Sequence, residues 1–156
     1  MTSDSENPEF KSAMAAAVRI LTGRNHTCQE LRGKLVRKGI KGDTADAAIT
    51  ACQRLNYLDD RRLARFYIDE LRDKGYGLRF IEKSMRAKGF FEPEMASALA
   101  QAQDDSIELA SAQRALAKKQ KTFEREKDPR KRREKIYRYL YARGFSSSVI
   151  SALTHR

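Results

Sequence analysis

The chain has 156 residues, of which 32 are Lys or Arg and 21 are Asp or Glu, so its formal net charge is +11 at pH 7. With 34% charged residues and a mean hydropathy of −0.71, it lies near the boundary at which chains bury too little apolar surface to fold. The 8 Gly, 3 Pro and 2 Cys exclude a collagen-like chain and a disulfide scaffold, and no apolar run is long enough to cross a membrane. The polar, acidic start does not resemble a signal peptide, so we expect a cytoplasmic protein.

The first third of the chain predicts a disordered tail over residues 1–12 followed by three helices. The first helix is expected to bury an apolar stripe at helical spacing: Met14, Ala17, Val18 and Leu21. Thr27 and Glu30 form a capping box that starts the second helix, and Gly39 ends it in a left-handed conformation. The third helix is expected to open at Asp43 and to bury Ala45, Ala48, Ile49, Cys52 and Leu55. Cys28 and Cys52 lack zinc-ligand spacing and are interpreted as small core residues, although a pairing between them stays open.

The second-helix pattern recurs about 50 residues later and again about 55 residues after that. Its signature is two apolar residues one turn apart and a helix-ending glycine: Leu31, Leu35 and Gly39, then Ile81, Met85 and Gly89, then Ile136, Leu140 and Gly144. The later third helices are expected to start at Glu92-Pro93 and at one of Ser146 to Ser148. The sequence therefore predicts nine helices in an all-α fold. Three tandem three-helix repeats, over 13–56, 57–104 and 105–156, would form an elongated, curved rod.

The third repeat contains about ten additional residues, near 118–128, that are rich in Lys and Glu. They are expected either to extend the preceding helix outward or to form a mobile hairpin. The charge surplus lies in the same repeat, because 105–156 carry 14 basic and 6 acidic residues whereas 57–104 carry 9 of each.

This basic cluster is the main candidate for binding a polyanion such as single-stranded DNA. Its candidate contact residues are Lys118, Lys119, Lys121, Arg130, Lys131, Arg132, Arg133 and Arg138. Tyr137, Tyr139 and Tyr141 follow closely and could stack on unpaired bases. The alternative is a solvated helix face with the tyrosines in the core. A smaller stripe, Arg79, Lys83 and Arg86, is either a second contact or an ordinary exposed face.

The sequence offers no constellation for catalysis and no site for a cofactor or a metal. Asp59 and Asp60 are interpreted as caps of the following helix rather than as paired catalytic carboxylates. Neither histidine has a nucleophile or ligand partner at a suitable spacing, and phosphate-binding glycine loops are absent from the sequence. The protein is therefore expected not to be an enzyme.

The segment Asn56-Tyr57-Leu58-Asp59-Asp60-Arg61-Arg62-Leu63-Ala64, with Lys74-Gly-Tyr-Gly77 and Arg86-Ala-Lys-Gly-Phe90 after it, closely resembles the RecX family of recombination regulators. The resemblance extends more loosely over the first repeat and more weakly over the third, and Leu63 stands where the family usually has Phe.

This resemblance implies a non-enzymatic regulator that binds the groove of the RecA filament on single-stranded DNA. Such a protein would suppress the ATPase, strand exchange and stimulated repressor cleavage of RecA, and would thereby modulate recombination, DNA repair and the SOS response. We expect a monomer that also binds duplex DNA at most weakly. The alternative is a sequence-independent DNA-binding protein built from helix-turn-helix-like trihelices.

Overall fold

The computed structural model describes residues 4–155, which contain ten α-helices, a 3₁₀ turn at Asp4–Glu6 and no strand. The helices are α1 (Pro8–Gly23), α2 (Cys28–Arg37), α3 (Gly42–Arg54), α4 (Asp60–Asp73), α5 (Leu78–Lys88), α6 (Glu92–Ala102), α7 (Asp105–Lys118), α8 (Gln120–Glu124), α9 (Pro129–Ala142) and α10 (Ser147–Thr154). Helices α1–α3, α4–α6 and α7–α10 each enclose a separate apolar core. The predicted all-α fold of three tandem three-helix repeats is confirmed, with α8 as an additional helix.

The ends of the helices follow local signals in the sequence. The Thr27 and Glu30 side chains form the predicted capping box, and Asp59 and Ser146 cap α4 and α10. Helix α1 begins at Pro8, because the Asn7 side chain accepts from the Glu9 amide (3.0 Å) and proline suits the first turn. Residues 8–12 therefore belong to this helix and not to the predicted disordered tail, whose residues 1–3 lie outside the described part of the chain.

The repeat signature forms the centre of each core. Leu31, Leu35, Ile81, Met85 and Leu140 are completely buried. Ile136 packs at the edge of its core and is only partly buried. Gly39, Gly89 and Gly144 have φ values of 89°, 92° and 90°, which side chains disfavour.

The predicted stripes of the first repeat need two corrections. Helix α1 buries Ala13 and Ala17 and leaves Val18 outside the core, and α3 buries its predicted residues except Leu55, which is 53% exposed. The alanines let α1 and α3 pack closely, so the buried face of each helix covers fewer positions than the apolar residues of the sequence pattern occupy. Helix α3 also starts at Gly42 rather than Asp43, without a side-chain cap.

The first junction joins repeats 1 and 2, where the N-terminus of α2 meets the C-terminus of α5. The Asp60 carboxylate accepts from the Cys28 amide (3.1 Å), and the Thr27 hydroxyl donates to the Lys88 carbonyl oxygen (3.1 Å). Lys88 also pairs with Glu30 (3.3 Å). Asp60 thus caps the neighbouring repeat, a role that its sequence position alone did not indicate.

The second junction joins repeats 2 and 3 by direct backbone contact between the N-terminus of α5 and the C-terminus of α9. The Gly77 amide donates to the Arg143 carbonyl oxygen (2.8 Å), and the Arg79 amide donates to that of Gly144 (3.2 Å). The Arg143 guanidinium donates in turn to the Gly75 carbonyl oxygen (2.7 Å). The second helices of the three repeats therefore follow one another end to end in the order α9, α5, α2.

The insertion neither lengthens α7 nor forms a hairpin free of the rest of the repeat. It folds into α8, whose Phe123 ring packs edge-on against Tyr139 with centroids 5.5 Å apart. In the following turn, Glu126 pairs with Lys135 (2.7 Å), which lowers the pKa of the Glu126 carboxyl. The insertion is thereby held against the side of α9.

Cys28 and Cys52 are free thiols buried in the first core, which confirms their interpretation as core residues. Burial and the nearby Asp60 carboxylate raise the pKa of the Cys28 thiol to about 12. This thiol is therefore poorly reactive. Across residues 4–155, none of the helices has the length and apolarity needed to span a bilayer.

Candidate nucleic-acid interface

One exposed surface combines cations and aromatic rings from two repeats. On α9, the side chains at helical spacing along this surface are Arg130, Arg133, Tyr137 and Tyr141. The rings of Tyr137 and Tyr141 stack with centroids 5.9 Å apart and planes 12° from parallel. The Arg79 guanidinium of α5 lies over the Tyr141 ring, 4.4 Å from its centroid. We call Tyr137, Tyr141 and Arg79 the tyrosine stack.

The second junction explains why residues so far apart in sequence meet here. Because the Arg79 amide is bonded to the Gly144 carbonyl oxygen, the first turn of α5 is fixed against the last turn of α9. The Arg79 side chain then reaches back over Tyr141, where a cation and an aromatic face attract each other. The start of the stripe on α5 and part of the basic run on α9, two separate predictions, thereby meet on one surface. We call its exposed residues the basic face: Arg79, Lys83, Arg130, Arg133, Tyr137 and Tyr141.

Several cations of the basic face are available to a ligand. Within the described part of the chain, Arg79, Lys83 and Arg133 have no carboxylate within ion-pair distance. Arg130 has one acidic neighbour, Glu134 at 3.7 Å, but this pair is highly exposed and contributes little. An incoming phosphate would therefore displace few existing interactions.

Other predicted contact residues are already engaged within the protein. The half-buried Arg132 donates two hydrogen bonds to the Glu126 carbonyl oxygen (2.9 and 2.6 Å), so it stabilises the turn between α8 and α9. Arg86 is paired with Glu82 (2.7 Å) and Glu92 (3.1 Å), and the hydrogen bonds to these carboxylates raise its pKa. These two arginines contribute less to the basic face than their sequence positions indicated.

The remaining predicted cations lie around the basic face rather than on it. Lys118 donates toward the Asp73 carbonyl oxygen (3.5 Å), and Lys119 and Lys121 are exposed within the insertion. Lys131 and Arg138 each follow a residue of the basic face directly, so they project about 100° around α9. The basic cluster thus surrounds α9 and does not form a single stripe.

The three tyrosines divide between the two interpretations of the sequence. Tyr139 is half-buried in the third core and donates its hydroxyl to the Ala115 carbonyl oxygen (3.3 Å). Tyr137 and Tyr141 are 42% and 49% exposed, so they belong to the surface. Residues two positions apart in a helix project about 200° from each other, so Tyr139 lies opposite Tyr137 and Tyr141 on α9.

A second exposed surface escaped the sequence analysis. Phe66 on α4 is 60% exposed, and beside it lies a cleft of about 570 Å³ between the loops of repeat 1 and α4. Tyr57, Arg62 and Leu63 line this cleft with Phe66, and we call these four residues the aromatic patch. The available signal was Phe66 itself, a large aromatic side chain off the apolar stripe of its helix.

The described residues contain no group of acidic, His or Cys side chains able to hold a metal ion. Fold and site together define an all-helical repeat protein with an exposed basic face.

Comparison with known families is consistent with this class. Residues 13–52 match the profile of the first three-helix domain of RecX, and residues 106–153 match that of the third. The chain is 35% identical over 140 residues to the regulatory protein RecX of Vibrio parahaemolyticus, covering 90% of this chain and 88% of that protein. It is 34% identical over 140 residues to that of Legionella pneumophila, covering 89% and 90%. The chain belongs to the RecX family.

Solved structures show the same fold at lower sequence identity. The crystal structure of RecX from Lactobacillus salivarius superimposes with a TM-score of 0.84 at 20% identity, covering 94% of this chain and 95% of that one. A second crystal structure of regulatory protein RecX gives a TM-score of 0.82, also at 20% identity, and covers 95% of this chain and 74% of that one.

Proposed function

We propose that this protein binds the RecA filament on single-stranded DNA and inhibits the RecA ATPase, strand exchange and coprotease activities. It would thereby modulate recombination, DNA repair and the SOS response. The observation that carries the proposal is the basic face, which continues across two repeats in a chain of a regulator family. The protein would act by binding, as a monomer, without catalysing a reaction.

The rod suits a ligand that is itself long and repetitive. Each repeat has its own core and contacts its neighbour through the ends of helices, which leaves long helix faces exposed. The basic face would lie toward the phosphates of the bound DNA, where Arg and Lys release counterions. Contacts along the rod could then reach neighbouring subunits of the filament.

The aromatic patch is our candidate for the contact with RecA protein. Its exposed Phe66 and Tyr57 present apolar area beside a cleft. Arg62, beside Phe66, and Asp59 line the same cleft with opposite formal charges, although the Asp59 side chain bonds the Arg62 amide (3.1 Å) and not its guanidinium. A nearly neutral aromatic surface favours a protein partner over a polyanion.

The decisive experiment titrates the protein into RecA filaments that are hydrolysing ATP on single-stranded DNA. We expect substoichiometric protein to reduce hydrolysis and to shorten the filaments. The double variant Arg130→Ala/Arg133→Ala should inhibit less. Its matched control is Arg19→Ala/Arg54→Ala, which removes the same charge from exposed positions of repeat 1. Unchanged hydrolysis and filament length with the wild-type protein would overturn the proposal.

The basic face also supports a second candidate, a sequence-independent DNA-binding protein. Such a protein would bind naked oligonucleotides at least as tightly as RecA-coated DNA, with a steep salt dependence. A filament regulator should prefer the coated DNA. Comparing the two affinities at one salt concentration separates the candidates.

A further inference from the structure

The tyrosine stack presents aromatic rings as well as cations, and phosphate contact alone does not need the rings. Tyr137 and Tyr141 are nearly half exposed, and neither supports the core, which Tyr139 and Leu140 of the same helix complete. Exposed lysines and arginines alone would suffice for solubility or for phosphate contact. Two parallel aromatic rings on the surface require a separate explanation.

Tyr137 forms the outer end of the stack and is 42% exposed. Arg79 covers the Tyr141 ring on one side, and Tyr137 stacks beside it on α9. Among the described residues, no further ring or cation covers Tyr137. A flat aromatic group can therefore extend the stack beyond Tyr137, and Arg133 lies one helical turn away to meet an attached phosphate.

We propose that the tyrosine stack is a binding site for unpaired bases of single-stranded DNA. Bases stack on tyrosine rings irrespective of sequence, but a base within a duplex is already stacked and paired and cannot reach the site. Arg130, Arg133 and Lys83 would neutralise the phosphates on either side. This inference rests on the proposed function for its biological setting, and it adds that the single strand is recognised through its bases.

Because the stack contains residues of two repeats, it depends on the second junction. Arg79 belongs to repeat 2 and Tyr141 to repeat 3, and the bond between the Arg79 amide and the Gly144 carbonyl oxygen holds them together. The site is therefore complete only when the two repeats are docked. Neither repeat alone would present it.

The test uses fluorescein-labelled oligo(dT) and an abasic oligonucleotide of the same length, with binding followed by fluorescence anisotropy in the absence of RecA. The two ligands carry the same phosphates, and only the first has bases. We expect the wild-type protein to bind oligo(dT) more tightly. Tyr137→Ala and Tyr141→Ala should each weaken that binding about 5- to 150-fold, as loss of a stacked aromatic side chain typically does. Neither change should affect the abasic ligand.

Two further variants and a duplex ligand serve as controls for the role of the rings and of unpaired bases. Tyr141→Phe keeps the ring and should retain tight binding. Phe91→Ala removes a similarly exposed aromatic side chain outside the tyrosine stack and should leave oligonucleotide binding unchanged. Binding to duplex DNA of the same length should be insensitive to both tyrosine-to-alanine changes. Circular dichroism establishes that each variant is folded.

Equal wild-type affinity for oligo(dT) and the abasic ligand would overturn the inference, as would tyrosine variants that retain the difference. Since RecA is absent from this assay, either result would leave the proposed inhibition of RecA standing. Conversely, a wild-type protein that prefers oligo(dT) but does not inhibit RecA would overturn the proposed function alone.

Discussion

The backbone contact at the second junction can be tested at Gly77, which lies against Gly144. An ideal Cβ at residue 77 would lie 2.5 Å from the Gly144 carbonyl carbon and from the Phe145 nitrogen, which are backbone atoms that cannot turn away. The φ of Gly77 is −86°, and residue 77 is the N-cap of α5, so Gly77→Ser fits the local backbone and supplies a preferred cap. Any loss of stability must therefore arise between the repeats.

The magnitude follows from the bonds that cross the junction. Moving the two backbones apart lengthens the hydrogen bonds from the Gly77 and Arg79 amides, now 2.8 and 3.2 Å. At about 0.5–1.5 kcal/mol each, their loss would lower the free energy of unfolding by about 1–3 kcal/mol. For a chain of this size, each kcal/mol corresponds to a fall in Tm of about 2–4 °C.

The assay is thermal and urea unfolding followed by far-UV circular dichroism, with Gly33→Ala as the control. Gly33 is inside α2, and a Cβ there would meet only the Arg37 guanidinium, at 3.8 Å. Alanine at this position should raise stability by up to about 1 kcal/mol through helix propensity. If Gly77→Ser unfolds at or above the wild-type temperature while the control behaves as expected, the close approach of the repeats is refuted.

Three further predictions concern charged groups. Burial raises the pKa of Asp60, so its carboxyl holds a proton more tightly when folded, and its contribution to stability falls as the pH rises through its titration range. Asp60→Asn should therefore keep or raise the free energy of unfolding at about pH 7. Asp60→Ala should lower it by about 1–3 kcal/mol, because it leaves the first amide of α2 unpaired. Equal losses for the two variants in urea unfolding would contradict this. Burial lowers the pKa of His26, so the wild type should lose stability as the pH falls below about 6.5. His26→Gln should flatten this pH dependence in the same measurement. If stability falls with pH equally in the variant and the wild type, the prediction is wrong. Arg130→Ala/Arg133→Ala should reduce the salt slope of single-strand binding by about 1.4 without loss of helicity, and an unchanged slope would assign both cations to solubility.

The predictions that succeeded rest on short-range physics. A capping box and a glycine that must adopt positive φ act within one helical turn, so Thr27, Glu30 and the three signature glycines located the second helices correctly. The recurrence of that pattern then fixed the number of repeats. Leu55 is exposed although it continues the apolar period of α3, because such a period gives the direction of a buried face but not its width.

The candidate site was predictable only in part, because its geometry depends on contacts between repeats. The basic run and the tyrosines were visible in the sequence, but 62 positions separate Arg79 from Tyr141, and nothing local indicates that they meet. The hydrogen bonds of Arg132 could not be predicted for a similar reason, since their acceptor is the Glu126 carbonyl oxygen, in a turn whose conformation the sequence does not indicate.

The insertion explains why the charge surplus lies in the third repeat. Helix α9 has 14 residues, whereas its counterparts α5 and α2 have 11 and 10, so it extends about one turn beyond the length that the core requires. That additional turn, residues 129–132, carries Arg130, and Arg133 follows it directly. A polar helix end without tertiary support would fray. The insertion supplies the support through the two bonds from Arg132 to the Glu126 carbonyl oxygen, and the contact of Phe123 with Tyr139 anchors the insertion farther along α9. The additional residues therefore hold the basic end of α9 in a fixed position, as the proposed phosphate contacts in line with the tyrosine stack would require.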